Sequence, residues 1–287
     1  MKKVSVFVLF LTLCLGLGAQ SLPFIVRSAD PRSAAMGSVG TENLAAGDAL
    51  SGKKIDAGAS FGTALPGDFK TALIGLGGYG NIGNLSVGLY GRYNMQPEYE
   101  TFNDVSRSLG FFRPCEMSVG VSVAYVVADK FAIGIRGSYI SSKLTSGATA
   151  SGFGADISAA FSTGGLTVEA AARNLGPKIK YGNYEYALPS LAALGISYKI
   201  GAFRAKAEAD YLFAGSFMAG AGAEYTFAKV FSLRAGFHYG KDDSPVPMYA
   251  SIGLGVQIAG LRIDVTYMPP LGQMTTGQAC AGIGFSR

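Results

Sequence analysis

The chain has 287 residues and a formal net charge of +5 at pH 7, with 15% charged and 49% hydrophobic residues. A water-soluble domain normally carries about 25% charged residues, so the composition argues against an ordinary soluble protein. The basic residues form no run long enough to track a nucleic-acid backbone, which argues against nucleic acid as a partner.

At the N-terminus, Lys2 and Lys3 precede an apolar run from Val4 to Leu17, and the small residues Gly18 and Ala19 lead into Gln20 and Ser21. This order predicts a secretory signal peptide over residues 1–19. Cys14 follows Leu13, where a lipidation signal has a small residue. Downstream there is no apolar run of the roughly 18 to 20 residues that a spanning helix needs. Residues 20–53 are rich in Ala, Gly and Ser and fit no strand pattern, which suggests a segment in a periplasmic mouth or a lumen with room for a short helix. Residues 54–287 carry the strands.

From Met117 to Val127 the apolar residues Met117, Val119, Val121, Val123, Tyr125 and Val127 alternate with Ser118, Gly120, Ser122 and Ala124. Phe131, Ile133, Ile135, Gly137 and Tyr139 repeat the pattern against Ala132, Gly134, Arg136 and Ser138. Phe203 to Tyr211 places Arg204, Lys206, Glu208 and Asp210 together on the other face. Period two means half-buried strands, and four charges in succession on one face suit a barrel lumen. Fourteen such segments begin near Lys54, Phe69, Leu85, Glu116, Lys130, Ser151, Leu166, Leu191, Phe203, Phe217, Phe231, Tyr249, Leu261 and Gln278.

The connections alternate in length. Those around 80–84, 128–130, 162–165, 201–202, 228–230 and 259–260 are tight; those at 94–115, 141–150, 174–190, 240–248 and 268–277 are longer and richer in polar, proline and aromatic residues. The expected fold is therefore all-β: a transmembrane antiparallel barrel of about 14 strands in an outer membrane, with short periplasmic turns, long extracellular loops and a small N-terminal plug. Outer-membrane lipid is the implied surround. Tyr79, Tyr93, Tyr139, Tyr198, Tyr211, Tyr225, Tyr239 and Tyr267 are expected in interfacial girdles. Glycines within strands, among them Gly75, Gly134, Gly220, Gly222 and Gly253, are expected to permit curvature and close packing.

The residues Arg32-Ser33-Ala34-Ala35-Met36-Gly37-Ser38-Val39-Gly40, the stretch Phe112-Arg113-Pro114-Cys115-Glu116, Ser151-Gly152-Phe153-Gly154-Ala155-Asp156, and Arg173-Asn174-Leu175-Gly176-Pro177 followed by Leu188-Pro189 resemble the PorV/PorQ family. These are fourteen-stranded barrels related to FadL-type fatty-acid transporters, found with type IX secretion. The chain departs from the pattern after Gly47-Asp48-Ala49-Leu50, where the family has an aromatic-Asn-Pro-Ala stretch and this chain has Ser51-Gly52-Lys53. The resemblance implies a non-enzymatic helper of type IX secretion that binds cargo or the translocon and passes cargo toward surface attachment.

No catalytic, cofactor-binding or metal-ligating set is legible. The single histidine, His238, has no triad around it in the sequence. Cys115 and Cys280 leave open a disulfide or two unpaired thiols. Arg136, Asp156, Arg204, Lys206, Glu208, Asp210, Glu224 and Arg234 are expected to neutralise one another in the lumen. Two loops mix aromatics with charges in the manner of a protein-binding surface: Tyr99, Phe102, Arg107, Phe111, Phe112 and Arg113 in one, and Tyr181, Tyr184 and Tyr186 in the other. The same residues would also serve as a lid. Two functions follow as alternatives: a secretion factor with protein partners, and a FadL-like channel for a hydrophobic or small solute.

Overall fold

The computed structural model describes residues 22–37, 41, 43–65, 70–102, 107–145, 147–241, 244–272, 274 and 276–287. The signal segment 1–19, Ser38 to Gly40 of the opening motif and the strand start at Phe69 lie outside them. The strands are β1 (Ile55–Leu65), β2 (Ala72–Ile82), β3 (Leu85–Met95), β4 (Tyr99–Phe102), β5 (Ser108–Phe112), β6 (Cys115–Ala128), β7 (Phe131–Lys143), β8 (Thr149–Thr163) and β9 (Leu166–Leu175). They continue as β10 (Ile179–Tyr181), β11 (Tyr184–Tyr186), β12 (Leu191–Ile200), β13 (Phe203–Leu212), β14 (Phe217–Phe227), β15 (Phe231–Gly240), β16 (Tyr249–Ile258), β17 (Leu261–Met268) and β18 (Gly277–Ser286).

Fourteen of these close into one antiparallel barrel, and β18 pairs with β1 from Asp56 opposite Ser286 to Leu65 opposite Gly277. The pairs β4–β5 and β10–β11 are separate hairpins inserted in the long connections after β3 and β9. Ten residues at about 3.3 Å rise and about 40° tilt span about 25 Å, the height of an outer-membrane apolar band.

The alternation in sequence becomes an inside and an outside. Val119 (49% exposed), Ile135 (61%) and Leu254 (63%) face outward, while Asp210 (0%) and Arg234 (3%) face the lumen. Water would penalise each such aliphatic side chain by roughly 1.5–3 kcal/mol relative to burial in an apolar medium, so the wall is built for lipid. The tight connections are turns such as Gly164–Gly165 and Ala259–Gly260, whose residues all have positive φ. That is the turn geometry that matches strand twist.

The described residues between 22 and 50 lie inside the wall. A 3-10 turn at Pro23–Ile25 is followed by α1 (Pro31–Ala35) and α2 (Ala45–Ala49). Helix α1 has a full set of local signals: Asp30 caps it by accepting from the Ser33 amide at 3.1 Å, Pro31 opens it, and Gly37 follows it at φ +69°. An N-cap carboxylate, proline at the first position and glycine past the end are the residues those sites favour.

The seat for this segment is a trough of inward glycines. A Cβ on Gly222 would lie 2.6 Å from the Met36 Cα, and one on Gly236 would lie 2.6 Å from the Ala35 carbonyl oxygen. Hydroxyls beside the trough take up the plug's carbonyls: Thr266 Oγ1 donates to Pro31 O at 2.6 Å, Ser251 Oγ to Ala35 O at 3.1 Å, and Ser60 Oγ to Ala29 O at 2.6 Å. Further round the wall, the Ala46 amide donates to Ser158 Oγ at 3.2 Å, and Ala46 packs on Ala132 and Ala160.

Candidate functional site in the barrel lumen

The plug divides the lumen into two halves of opposite character. Toward the long loops is an apolar chamber. Leu22, Phe24, Ile25 and Val26 of the plug fill it, against Ile140, Leu191, Leu212, Met218, Tyr249 and Met268 of the wall. Hairpin β10–β11 and the residues after it roof it, with Ile179, Tyr181 and Leu188 buried. Phe24 is 1% exposed. Arg92 holds this part of the plug from below, its Nη1 donating to Ile25 O at 2.9 Å and to Arg27 O at 2.8 Å.

Toward the short turns the lumen is charged and holds a cavity of about 310 Å³. Its wall is a connected ion-pair network. Lys53 pairs with Asp56. Arg262 reaches Asp56 at 3.6 Å and Asp264 at 2.9 Å. Arg234 joins Asp264 and Glu224 at 2.6 Å each. Arg32 of the plug grips Glu224 with Nη2 at 3.0 Å and Nε at 3.2 Å, and Glu224 raises the Arg32 guanidinium above its ordinary value against the opposing cost of burial. Lys206 stands 3.8 Å from Glu208, whose carboxylate also accepts from Thr41 Oγ1 at 2.5 Å.

Between the two halves, Arg136 bonds the Asn43 carbonyl, lies 4.0 Å above the Tyr90 ring and stands 3.7 Å from Asp156. Asp156 also accepts from the Asn174 amide at 2.8 Å and sits 3.6 Å from Arg173. Asp48 of α2 accepts from the Tyr90 hydroxyl. Burial raises its carboxyl to about 7, against the lowering effects of Tyr90 and Arg136.

All eight expected lumen charges face inward, and pairing across the barrel brings Arg204, Glu224 and Arg234 into one row. The loop residues separate into two groups. Tyr181 and Tyr186 belong to the roof, with their rings 5.7 Å apart, and Tyr184 is exposed at its tip. Tyr99 and Phe112 pack edge to face at 5.8 Å, and the Tyr99 hydroxyl donates to Leu144 O at 2.9 Å. Phe102 and Phe111 on the same hairpin are exposed, as are Arg107 and Arg113.

One expectation is corrected and one open alternative is resolved. Tyr79 is not in a girdle: it lines the lumen cavity, because odd-numbered residues of β2 point inward. Cys115 and Cys280 are both thiols. They sit on β6 and β18, with β3, β2 and β1 between them, and strands spaced about 4.8 Å apart put them beyond disulfide reach. His238 is fully buried, stacks on Tyr249 at 5.1 Å and places Nδ1 3.2 Å from Gly37 O. It is part of the plug's seat. Arg32, Asp48, Tyr90 and Arg92 escaped the sequence reading. Inward parity on β3 would have found the last two; Arg32 and Asp48 stand in the stretches 32–40 and 47–50, but nothing there marks their partners on the wall.

No protein-family model matches the chain, and no curated protein matches it. Among solved structures it is similar to the toluene transporter TbuX of Ralstonia pickettii, with TM-score 0.66 and 15% identity over 92% of this chain and 99% of that one. It is also similar to the toluene transporter TodX of P. putida, with TM-score 0.65 and 13% identity over 92% and 99%. A FadL homologue of Pseudomonas aeruginosa gives TM-score 0.51 and 14% identity over 95% and 96%. The shared fold, with lipid-facing apolar residues outside and charges within, decides the compartment. The protein is a multi-pass outer-membrane β-barrel. Its short turns therefore face the periplasm and its long loops the exterior.

Proposed function

We propose that the barrel is a non-enzymatic channel for uptake of a small hydrophobic solute, gated by its N-terminal plug. One observation carries this reading: directly beneath the extracellular loops lies a chamber shaped for apolar matter, and the chain's own Phe24, Ile25 and Val26 occupy it. A solute entering from outside would compete with those side chains for the same surfaces. Solute pockets are mostly apolar with a few convergent polar groups, and Arg92 and Arg27 supply such groups at the chamber floor. The toluene transporters that share the fold support the reading.

The test is uptake of radiolabelled toluene by cells that produce the protein, against cells that lack it. A several-fold faster initial rate is expected, and equal rates overturn the channel.

A second reading, the secretion factor, draws on the β4–β5 hairpin, which exposes Phe102 and Phe111. Surface aromatics flanked by arginines suit a protein partner. A gentle detergent pull-down from the native membrane separates the two readings: stoichiometric secretion subunits or exported cargo favour the second, and a lone barrel favours the channel.

A further inference from the structure

Strands β6, β7 and β8 have 14, 13 and 15 residues, against 10 in β13 and β15. The excess lies on the extracellular side. Phe131 and Tyr139, Phe203 and Tyr211, and Phe231 and Tyr239 keep one spacing along their strands, and all six are exposed on the outer wall. Strands β13 and β15 end one residue past that tyrosine, whereas β7 runs on to Lys143. Lys143 is thus about 13 Å beyond Tyr139 along the strand and about 10 Å along the membrane normal at about 40° tilt, which is headgroup level. Here the outward residues turn polar: Ser141 is opposite Ser151 and Lys143 opposite Thr149, above the rings of Tyr139 and Phe153, which pack at 5.5 Å. Lys143 is also opposite Cys115, and Cys115 opposite Met95 on β3, where Arg113 Nη1 donates to the thioether at 3.4 Å. Neither cation is neutralised. Lys143 Nζ lies 5.6 Å from the centre of the Phe112 ring, and the one hydrogen bond of Arg113 goes to a weak acceptor. No Asp or Glu of the described residues, Glu98 and Glu100 beside them included, is in ion-pair range of either.

We propose that Arg113 and Lys143, with the Ser141 and Ser151 hydroxyls, bind the phosphate of an anionic lipid in the outer leaflet, whose acyl chains lie over Val119, Tyr139 and Phe153. A guanidinium and an ammonium on either side of Cys115 offer charged donors to phosphate oxygens, and the two hydroxyls add neutral ones. The occupant is a lipid and not a soluble anion, because the polar rows continue straight down into the apolar wall. Val119, Tyr139 and Phe153 align across β6, β7 and β8 two rows below Lys143, so one molecule with a phosphate and a hydrocarbon chain satisfies both levels. A lipid-facing cation is costly at mid-membrane but nearly free at the interface, where each Lys or Arg attracts anionic lipid. The site does not depend on either reading of the barrel's function and stands or falls separately from toluene uptake.

The experiment mixes the full-length barrel in a neutral detergent with phosphatidylglycerol, or with phosphatidylcholine of the same chains, and reads the lipid retained per barrel by native mass spectrometry. The barrel should retain phosphatidylglycerol at concentrations where phosphatidylcholine leaves it bare. Lys143→Gln and Arg113→Gln should each weaken retention about fivefold, while Lys229→Gln, in the exposed turn 228–230 at the opposite rim, should leave it unchanged. All variants should keep the heat-dependent gel mobility of a closed barrel. Equal retention of the two lipids, or an equal loss in the Lys229→Gln variant, overturns the site. Displacement of the lipid by excess inorganic phosphate would make the ligand a soluble anion and overturns it as well.

Discussion

Arg32 and Glu224 are 192 residues apart in the chain, one in the plug and one on β14, and meet in a two-point ion pair with contacts of 3.0 and 3.2 Å. The two ends of this latch are unequal. Arg32→Gln leaves Glu224 still bound to Arg234, whereas Glu224→Gln takes the shared carboxylate from Arg32 and Arg204 and leaves Arg234 with Asp264 alone. Uncompensated buried charge costs on the order of 3–5 kcal/mol, and losing one charged hydrogen-bond donor about 1.5–3 kcal/mol. The guanidinium chloride midpoint should therefore fall further in Glu224→Gln than in Arg32→Gln. A larger fall in the arginine variant would show that the plug side dominates the latch.

Gly222 gives a test of the seat. A leucine there would drive its first carbon into the Met36 backbone, while the strand ladder on both sides of Gly222 needs no side chain at that point. Gly222→Leu should displace the plug and keep the barrel closed. With Cys115→Ser and Cys280→Ser as background, a Met36→Cys reporter should react with a maleimide at least about tenfold faster in Gly222→Leu. The control is Gly137→Leu, where a Cβ meets nothing within 4 Å; labelling there should not change.

The contrast between those two glycines shows what could be read from sequence. Strand starts at Leu85, Leu166, Leu191, Phe203, Phe217, Phe231, Tyr249 and Leu261 fall where alternation puts them, because lipid on one side and charge on the other mark each residue's face. Loop parity was legible for the same reason. The hairpins β4–β5 and β10–β11 were not, since three to five residues are too few to show a period. The plug was legible only in part. Asp30, Pro31 and Gly37 spell a capped helix, but its docking site is written in glycines, which have no side chain to announce a partner. Alternation already puts Gly137 on the outward face and Gly222 on the inward one, but only the fold shows that the Met36 backbone lies against Gly222.

Asp48 makes plug docking depend on pH. Burial lifts its carboxyl from the ordinary value of 3.8 to about 7, so the docked state holds a proton that a solvated carboxyl would release. The sign follows: stabilisation from this group is complete below about pH 4 and is lost as pH rises through about 7. Labelling of the Met36→Cys reporter, corrected for thiolate fraction with a small-molecule thiol, should rise across that window. In Asp48→Asn the rise should disappear, and its persistence would place the titrating group elsewhere.

Phe24 is the largest plug side chain in the apolar chamber. Phe24→Ala removes it from a site where its neighbours Ile140, Leu191 and Met218 are each 2% exposed or less and belong to the closed wall. Truncating a buried phenylalanine costs about 3–5 kcal/mol, partly through the void it leaves. A void lined only by apolar groups stays dry and accepts apolar guests. The variant should therefore lose thermal stability and regain part of it in saturating toluene, by mass action on the folded state. Tyr184→Ala, at the exposed tip of β10–β11, should change stability by no more than about 0.5 kcal/mol and gain nothing from toluene. If toluene fails to restore Phe24→Ala, the wall has collapsed onto the missing ring, and the chamber is a core that the plug completes, not a space that a solute can take over.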